Sequence, residues 1–346
     1  MNRRQFLAGL AASAVAPAPW RNVADRLITT PVESYPFNWG EGVQQMGLMR
    51  AWERTRDDRY LDWMERWTAQ FLARDIRELL NQVRAGYCGH WSPATAIRLL
   101  HAARPKPEYL RLSDQVIRFI DNEAERSGEG ALGHWQGSHQ LWVDTLYMAC
   151  PLLALTRDAK HVAGAAQQIV IYAKHLQDVR GLFFHMWDWQ TRERSQGAWG
   201  RGNGWVLMSL ADTMEAIEPS DPQWQPLKRI ATNLAGGVKA TQNREGLWHT
   251  VMDDPSSYPE TSASAMFCYG LLKLSRLKVL PAEVTAITKP AWNTLNERYV
   301  HDGVVTGVSA GTEPKGTGHY KDRPLGTQTW GTGAYLLAAS EVARME

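Results

Sequence analysis

Apolar residues recur at helical spacing over most of the chain. Residues 42–55, 60–74, 93–103, 109–126, 138–155 and 161–177 each carry the pattern, and 204–217, 224–240, 262–275, 282–299 and 333–343 repeat it. The spacing therefore predicts about a dozen helices joined by short connections. Strand signals are confined to short stretches such as 303–309. No long linker or low-complexity segment divides the chain.

Two kinds of helix alternate. Residues 57–74 and 109–126 have a charged face and an apolar face, as outer helices would. Leu141-Trp142-Val143-Asp144-Thr145-Leu146-Tyr147-Met148-Ala149 and Ser262-Ala263-Ser264-Ala265-Met266-Phe267-Cys268-Tyr269-Gly270 are apolar on nearly every side, which marks inner helices. Inner and outer helices paired in hairpins of about 50 residues predict an all-α closed toroid or an open solenoid. Little sequence is shared between hairpins, which argues against a tetratricopeptide array. Trp-Gly-x-Gly occurs at Trp39–Gly42, Trp199–Gly202 and Trp330–Gly333, each time before an apolar helix. These are either three independent tight turns or helix N-termini gathered at one end of a barrel. Gathered N-termini would favour an anionic ligand.

Composition narrows the function. With 346 residues, 44% hydrophobic, the chain can bury one large core, or two at most. Its 38 basic and 36 acidic residues are mixed along the chain without a basic stripe, so nucleic acid is not an expected partner. The 16 Trp stand out. They either fill gaps between helices or offer flat apolar faces on which sugars stack. Cys88, Cys150 and Cys268 are far apart and read as small core residues. No HExxH or similar spacing occurs, so neither a metal nor a cofactor is implied.

The N-terminus reads as a targeting segment. Arg3-Arg4-Gln5-Phe6-Leu7 is a twin-arginine pattern, and the weakly apolar run from Ala8 ends in Ala14-Val15-Ala16, which suits a signal peptidase. The run is too short to span a membrane, and Pro17 and Pro19 follow at once. The expectation is a signal over 1–25, one domain over 26–346, and export to the periplasm without membrane integration.

Asp144 is the sharpest chemical candidate. Set among apolar neighbours, it either satisfies a nearby helix end or is kept for use. Burial would raise its pKa and keep it protonated, as a general acid requires. His185 follows Leu182-Phe183-Phe184 and could bond a substrate or sit in the core. Arg201, between Trp199 and Trp205, could fork onto a carboxylate or stack as a structural cation. Glu260-Thr261-Ser262 opens an inner helix and reads first as a cap, while Asp253 and Asp254 read as turn residues.

Five ordered segments carry a family resemblance. They are Trp142–Met148, Gly181–His185, Trp199–Trp205, Asp253-Asp254-Pro255 through Glu260–Ala265, and Trp330–Ala334. Together they resemble the unsaturated rhamnogalacturonyl hydrolases of glycoside hydrolase family 105 and, more distantly, the unsaturated glucuronyl hydrolases of family 88. The resemblance implies an (α/α)6 barrel with a pocket at one end. It implies that Asp144 is general acid and base, and that His185, Trp199, Arg201 and Trp205 line the pocket. Glu260, Thr261 and Trp330, in the matched segments, join them as candidate substrate contacts. The expected reaction removes a terminal 4,5-unsaturated uronic acid from an oligosaccharide, of pectin or rhamnogalacturonan type, by hydrating the C4=C5 double bond. One departure stands out. The family has a second Asp shortly before a Pro-Gly, but this chain reads Gly89-His90-Trp91-Ser92-Pro93-Ala94 there, leaving His90 as a candidate replacement. An ordinary glycosidase or lyase on the same barrel, or a non-catalytic sugar-binding protein, are the alternatives.

Overall fold

A helix that is apolar all round can be buried only by other helices on every side. The computed structural model, which describes residues 18–345, shows how the chain achieves this. In chain order the first half contains α1 (Pro19–Leu27), α2 (Trp39–Thr55), α3 (Asp58–Ala69), α4 (Ile76–Leu80), α5 (Ser92–Ala103) and α6 (Pro107–Asn122). Strand β1 (Gln140–Trp142), α7 (Asp144–Leu155), α8 (Ala159–Leu176) and β2 (Met186–Asp188) follow. The second half contains α9 (Gly200–Met214), α10 (Trp224–Ala240), α11 (Thr261–Arg276) and α12 (Thr288–Arg298). It ends with β3 (Val300–His301), β4 (Val304–Val305), β5 (Val308–Ser309), α13 (Thr317–Lys321), β6 (Leu325–Gly326) and α14 (Thr329–Val342).

Helices α2, α5, α7, α9, α11 and α14 form the inner ring. Each packs on the next, and α14 returns to α2, so the ring closes. All of α9 except Asp212 is buried, and all of α11 except Ser275 and Arg276. The outer helices α1, α3, α6, α8, α10 and α12 bury one stripe each. That of α10 runs through Trp224, Leu227, Ile230, Ala231, Leu234 and Val238. The fold is an (α/α)6 barrel, as expected. Glycines allow the inner helices to touch: a Cβ on Gly47 of α2 would stand 2.7 Å from the Gly333 carbonyl of α14.

Three sequence expectations change. Residues 138–155 are not one helix: β1 pairs antiparallel with β2, Trp142 opposite Met186, before α7 begins at Asp144. Residues 282–299 divide into a 3-10 turn, Ala282–Ile287, and α12. The boundary at residue 25 falls inside α1, which is the sixth outer helix. Val23, Ala24 and Leu27 are buried, and α1 packs on α14 and α2. Asp25 accepts hydrogen bonds from Arg59 and from the Tyr60 hydroxyl, each at 3.0 Å. The twin-arginine stretch itself lies outside the described residues. Among those described, no helix is long and apolar enough to cross a membrane.

One end of the barrel holds a cluster of buried charge. There Lys273 places its ammonium 2.7 Å from Asp212 and 2.8 Å from Glu215. The N-termini of the inner helices face the other end, where the three Trp-Gly-x-Gly segments meet. Trp39 stacks on Trp330 at 4.2 Å, and the Arg201 guanidinium lies over both Trp199 (4.7 Å) and Trp330 (5.5 Å). Their glycines are helical and serve close approach rather than tight turns: a Cβ on Gly200 would stand 2.7 Å from the His249 carbonyl.

Candidate active site

A cavity of about 470 Å³ opens at this end, a size that suits a small ligand. Asp144 and Arg201 stand on its floor beside Trp142 and Trp199, Trp39 and His134 form walls, and the segment 311–323 crosses its mouth.

The β1–β2 ribbon sets the floor. Its pairing runs on into the Val143 N–H, which donates to the His185 carbonyl at 3.0 Å, so residues far apart in sequence sit side by side. Asp144 is the first residue of α7, where unpaired N–H groups and the helix dipole favour a carboxylate. Its side chain is 20% exposed, while that of His185 is fully buried. A carboxylate only accepts, so His185 donates from Nε2 to Asp144 Oδ2, at 3.1 Å. In the neutral ring Nδ1 then accepts from the Tyr320 hydroxyl at 3.2 Å. Burial pushes the Tyr320 pKa up, so this hydroxyl remains a donor. The result is a directed chain from the mouth segment to the floor: Tyr320, His185, Asp144.

This geometry overturns the expectation that Asp144 is held protonated. Burial is the largest influence and acts upward, but the hydrogen bond that His185 donates, with the nearby Arg201 charge, outweighs it. The Asp144 pKa lies below its ordinary value, and the resting group is a carboxylate.

Arg201 is also corrected. It is 1% exposed, and its fork is already occupied. One terminal nitrogen donates to the Ser309 carbonyl (3.0 Å) and hydroxyl (2.5 Å), the other to the Ala310 carbonyl (2.9 Å) and the Thr312 hydroxyl (3.0 Å). Arg201 thus ties down the segment that roofs the pocket instead of offering a free fork to a substrate. Glu260 stands behind it, fully buried, 3.6 Å from the guanidinium. Glu260 caps α11 through the Ala263 N–H (2.7 Å) and accepts from the Ser309 N–H (2.9 Å). It is a positioning group and not a substrate contact.

Other candidates move as well. Thr261 is buried and donates its hydroxyl to the Thr306 carbonyl at 2.7 Å. Trp205 is fully buried, stacked on Tyr147 at 5.2 Å. Trp330 backs Trp39 and does not line the cavity. His90 also lies off the cavity, with Nδ1 bonded to the Leu80 carbonyl at 3.1 Å, and does not stand in for the missing Asp. Cys88 and Gly89 occupy the pocket wall there. Cys88 Sγ lies 3.2 Å from His134 Nδ1, which also meets the Thr145 hydroxyl at 2.8 Å. Burial pushes the His134 pKa down to about 3, so this ring on the pocket wall is neutral. Cys150 and Cys268 are buried and free, as expected of core residues.

Sequence reasoning missed Trp39, Arg84, His134, Trp135, Trp142 and Arg323, all of which line the cavity. The aromatic density of 134–142 was the available signal. Arg84 and Arg323 sit in loops, where no periodicity points inward.

Comparison with known proteins agrees with this architecture. The chain is 28% identical over 339 residues to the unsaturated rhamnogalacturonyl hydrolase YesR of Bacillus subtilis, covering 93% of this chain and 94% of that protein. It is 26% identical over 357 residues to an unsaturated 3S-rhamnoglycuronyl hydrolase of Formosa agariphila, covering 90% of this chain and 85% of that one. The solved structure of a family 105 glycoside hydrolase from C. acetobutylicum superposes with a TM-score of 0.85 at 24% identity, covering 94% of this chain and 99% of that one. The model of Glycosyl Hydrolase Family 88 matches residues 21–346, and on that match the chain belongs to this family of glycoside hydrolases.

Proposed function

We propose that the protein removes a terminal 4,5-unsaturated uronic acid from oligosaccharides produced by polysaccharide lyases, with Asp144 as both acid and base. One observation carries this reading: the pocket floor holds a single carboxylate. Among the described residues that line the cavity, the other carboxylate is Glu313, on the exposed mouth segment and engaged with Lys315 at 2.5 Å. An ordinary glycosidase needs two carboxyl groups flanking the bond, about 5–9.5 Å apart. An unsaturated uronide needs only one, because it is an enol ether. Protonation of C4 develops positive charge at C5 and the ring oxygen. Water then adds at C5 and gives its proton to the same carboxylate. The hemiketal opens and releases the next sugar without attack at the anomeric carbon.

The similarity to the Bacillus subtilis protein supports fragments of rhamnogalacturonan or pectin type as the source. The Arg3-Arg4 pattern supports export by the twin-arginine route to the periplasm. The test of the chemistry is turnover in heavy-oxygen water: the enoate's ultraviolet absorbance should disappear and the label should enter at C5. Label at C1, or rapid cleavage of a saturated glucuronide, would overturn hydration and revive the ordinary glycosidase reading.

A further inference from the structure

The cavity has two layers with different charge. The floor is enclosed, with Arg201 and Trp199 each 1% exposed and the Asp144 carboxyl only partly open to solvent. The mouth is wet: Arg84, Glu313 and Lys315 are exposed and Arg323 is half-buried. Its one carboxylate, Glu313, is taken by Lys315. Arg84 and Arg323 have no carboxylate within 4.0 Å among the described residues, although both line the cavity.

Both guanidinium groups are held in place without being neutralised. The Arg84 guanidinium lies over the Trp135 ring at 4.1 Å, and Trp135 packs edge-on against Trp142 at 5.3 Å. That stack connects Arg84 to β1, which leads directly into Asp144, and reduces the entropy lost when Arg84 engages a ligand. Arg323 is held at the end of the segment that Arg201 and Glu260 anchor. It reaches the Gly311 carbonyl at 3.4 Å and His319 Nε2 at 3.5 Å, while its own Nε is buried without a partner. The His319 pKa is lowered by burial and by the Arg323 and Lys315 charges, so His319 does not add a positive charge near neutral pH.

With C4 of a uronide placed against Asp144 on the floor, the leaving sugar extends toward the mouth, where Arg84 and Arg323 line the cavity. We propose that Arg84 and Arg323 form a subsite for a negatively charged group, a carboxylate or a sulfate ester, on that leaving sugar. This rests on the proposed hydration of unsaturated uronides and adds to it the chemistry of the second sugar. Exposed guanidinium–anion contacts are modest and screened by salt, so the subsite acts as a selector and not as the main source of binding.

The test uses three unsaturated disaccharides with the same uronide and different leaving sugars: rhamnose, sulfated rhamnose, and galacturonic acid. Loss of enoate absorbance gives kcat/KM at low salt and at about 0.5 M NaCl. Wild type should favour at least one charged disaccharide by about fivefold or more, and whichever it favours identifies the anion as sulfate or carboxylate. Arg84→Gln and Arg323→Gln should each lower kcat/KM for that substrate several-fold more than for the neutral one, and high salt should shrink the preference. Thermal melting separates a folding defect in Arg323→Gln, and the exposed Arg84 provides the second variant. Equal losses on charged and neutral substrates, or no preference in wild type, would overturn the subsite while leaving the hydration reading standing. If wild type consumes none of the three, the hydration reading falls and the subsite with it.

Discussion

Arg201→Met separates two roles for the most buried cation of the pocket. The arginine is 1% exposed and its partner Glu260 is fully buried. Removing it deletes four donated hydrogen bonds, to Ser309 twice, Ala310 and Thr312, and leaves the Glu260 carboxylate without its cation. Breaking one side of such a buried pair costs about 3–5 kcal/mol, a large share of the roughly 5–15 kcal/mol that holds a domain folded. Glu260 keeps its bonds from Ser262, Ala263 and Ser309, so the lower end of that range is expected. Urea unfolding should show a midpoint shift of that size with the slope unchanged. Glu260→Gln in the same background should recover part of the loss, because an amide does not require a counter-charge. Activity should fall in kcat and not chiefly in KM, since a loosened 309–312 segment releases the Tyr320–His185 end of the proton chain. A variant that unfolds at the wild-type urea concentration but shows a tenfold higher KM would refute this, and would return Arg201 to the role of a direct substrate clamp.

Four further outcomes follow from the same geometry. Asp144→Asn should lose essentially all turnover while its circular dichroism and melting stay close to wild type, and retention of more than a few per cent of activity would assign the proton to another group. Tyr320→Phe keeps the stacking on Trp199 but removes the donor to His185 Nδ1, so kcat should fall about tenfold with KM little changed and the pH profile displaced; an unaltered pH profile would make Tyr320 a packing residue. A chain starting at residue 19 should match the full chain in urea, whereas one starting at residue 28 should lose about 3–6 kcal/mol, because burial of Val23, Ala24 and Leu27 is removed; equal stability of the two would deny α1 its place in the barrel. Replacing Arg3 and Arg4 with Lys should retain the protein in the cytoplasm, and unchanged export would exclude the twin-arginine route.

The barrel was legible because its physical cause is periodic. Inner helices such as α9 and α11 are apolar all round and outer helices such as α10 carry a stripe, and both patterns are properties of the local sequence. Boundaries failed where two structures share one apolar run. Leu141-Trp142-Val143 fits a buried strand as well as a helix, and only pairing with Met186–Asp188 decides between them. Helix α1 was hidden because it directly follows an alanine-rich segment that suits export. Within the site, Asp144 was singled out by its apolar neighbours, His185 by the aromatic run before it and Trp199 by the repeated Trp-Gly-x-Gly. The occupied fork of Arg201 was not visible, since its partners lie 108 to 111 residues away. His90 was drawn in by its position beside the missing Asp, although its side chain turns to the Leu80 carbonyl.

A resting Asp144 carboxylate has no proton to give to C4, and the substrate itself supplies the answer. The pKa is low because His185 and Arg201 outweigh burial while part of the carboxyl still meets water. A bound uronide changes both sides of that balance. Its ring displaces the remaining water, and its own carboxylate brings a like charge to a pocket whose nearest cation is already committed to the roof. Both changes raise the Asp144 pKa, so the enzyme takes up the proton it needs as an acidic sugar binds. A neutral sugar would exclude the water but bring no charge, and would leave Asp144 closer to its resting, inactive form. Selection for uronides is then exerted through protonation as well as through contact. The sign of the pH dependence follows. The free-enzyme limb, read in kcat/KM, is lost as pH rises through the depressed pKa of Asp144, whereas the limb in kcat is lost only at the raised pKa of the complex. The kcat limb should therefore lie about one pH unit or more above the other. Coincident limbs would mean that binding does not load the proton. Once the proton has gone to C4, the His185 hydrogen bond that kept Asp144 ionised at rest stabilises the carboxylate that must next take a proton from water.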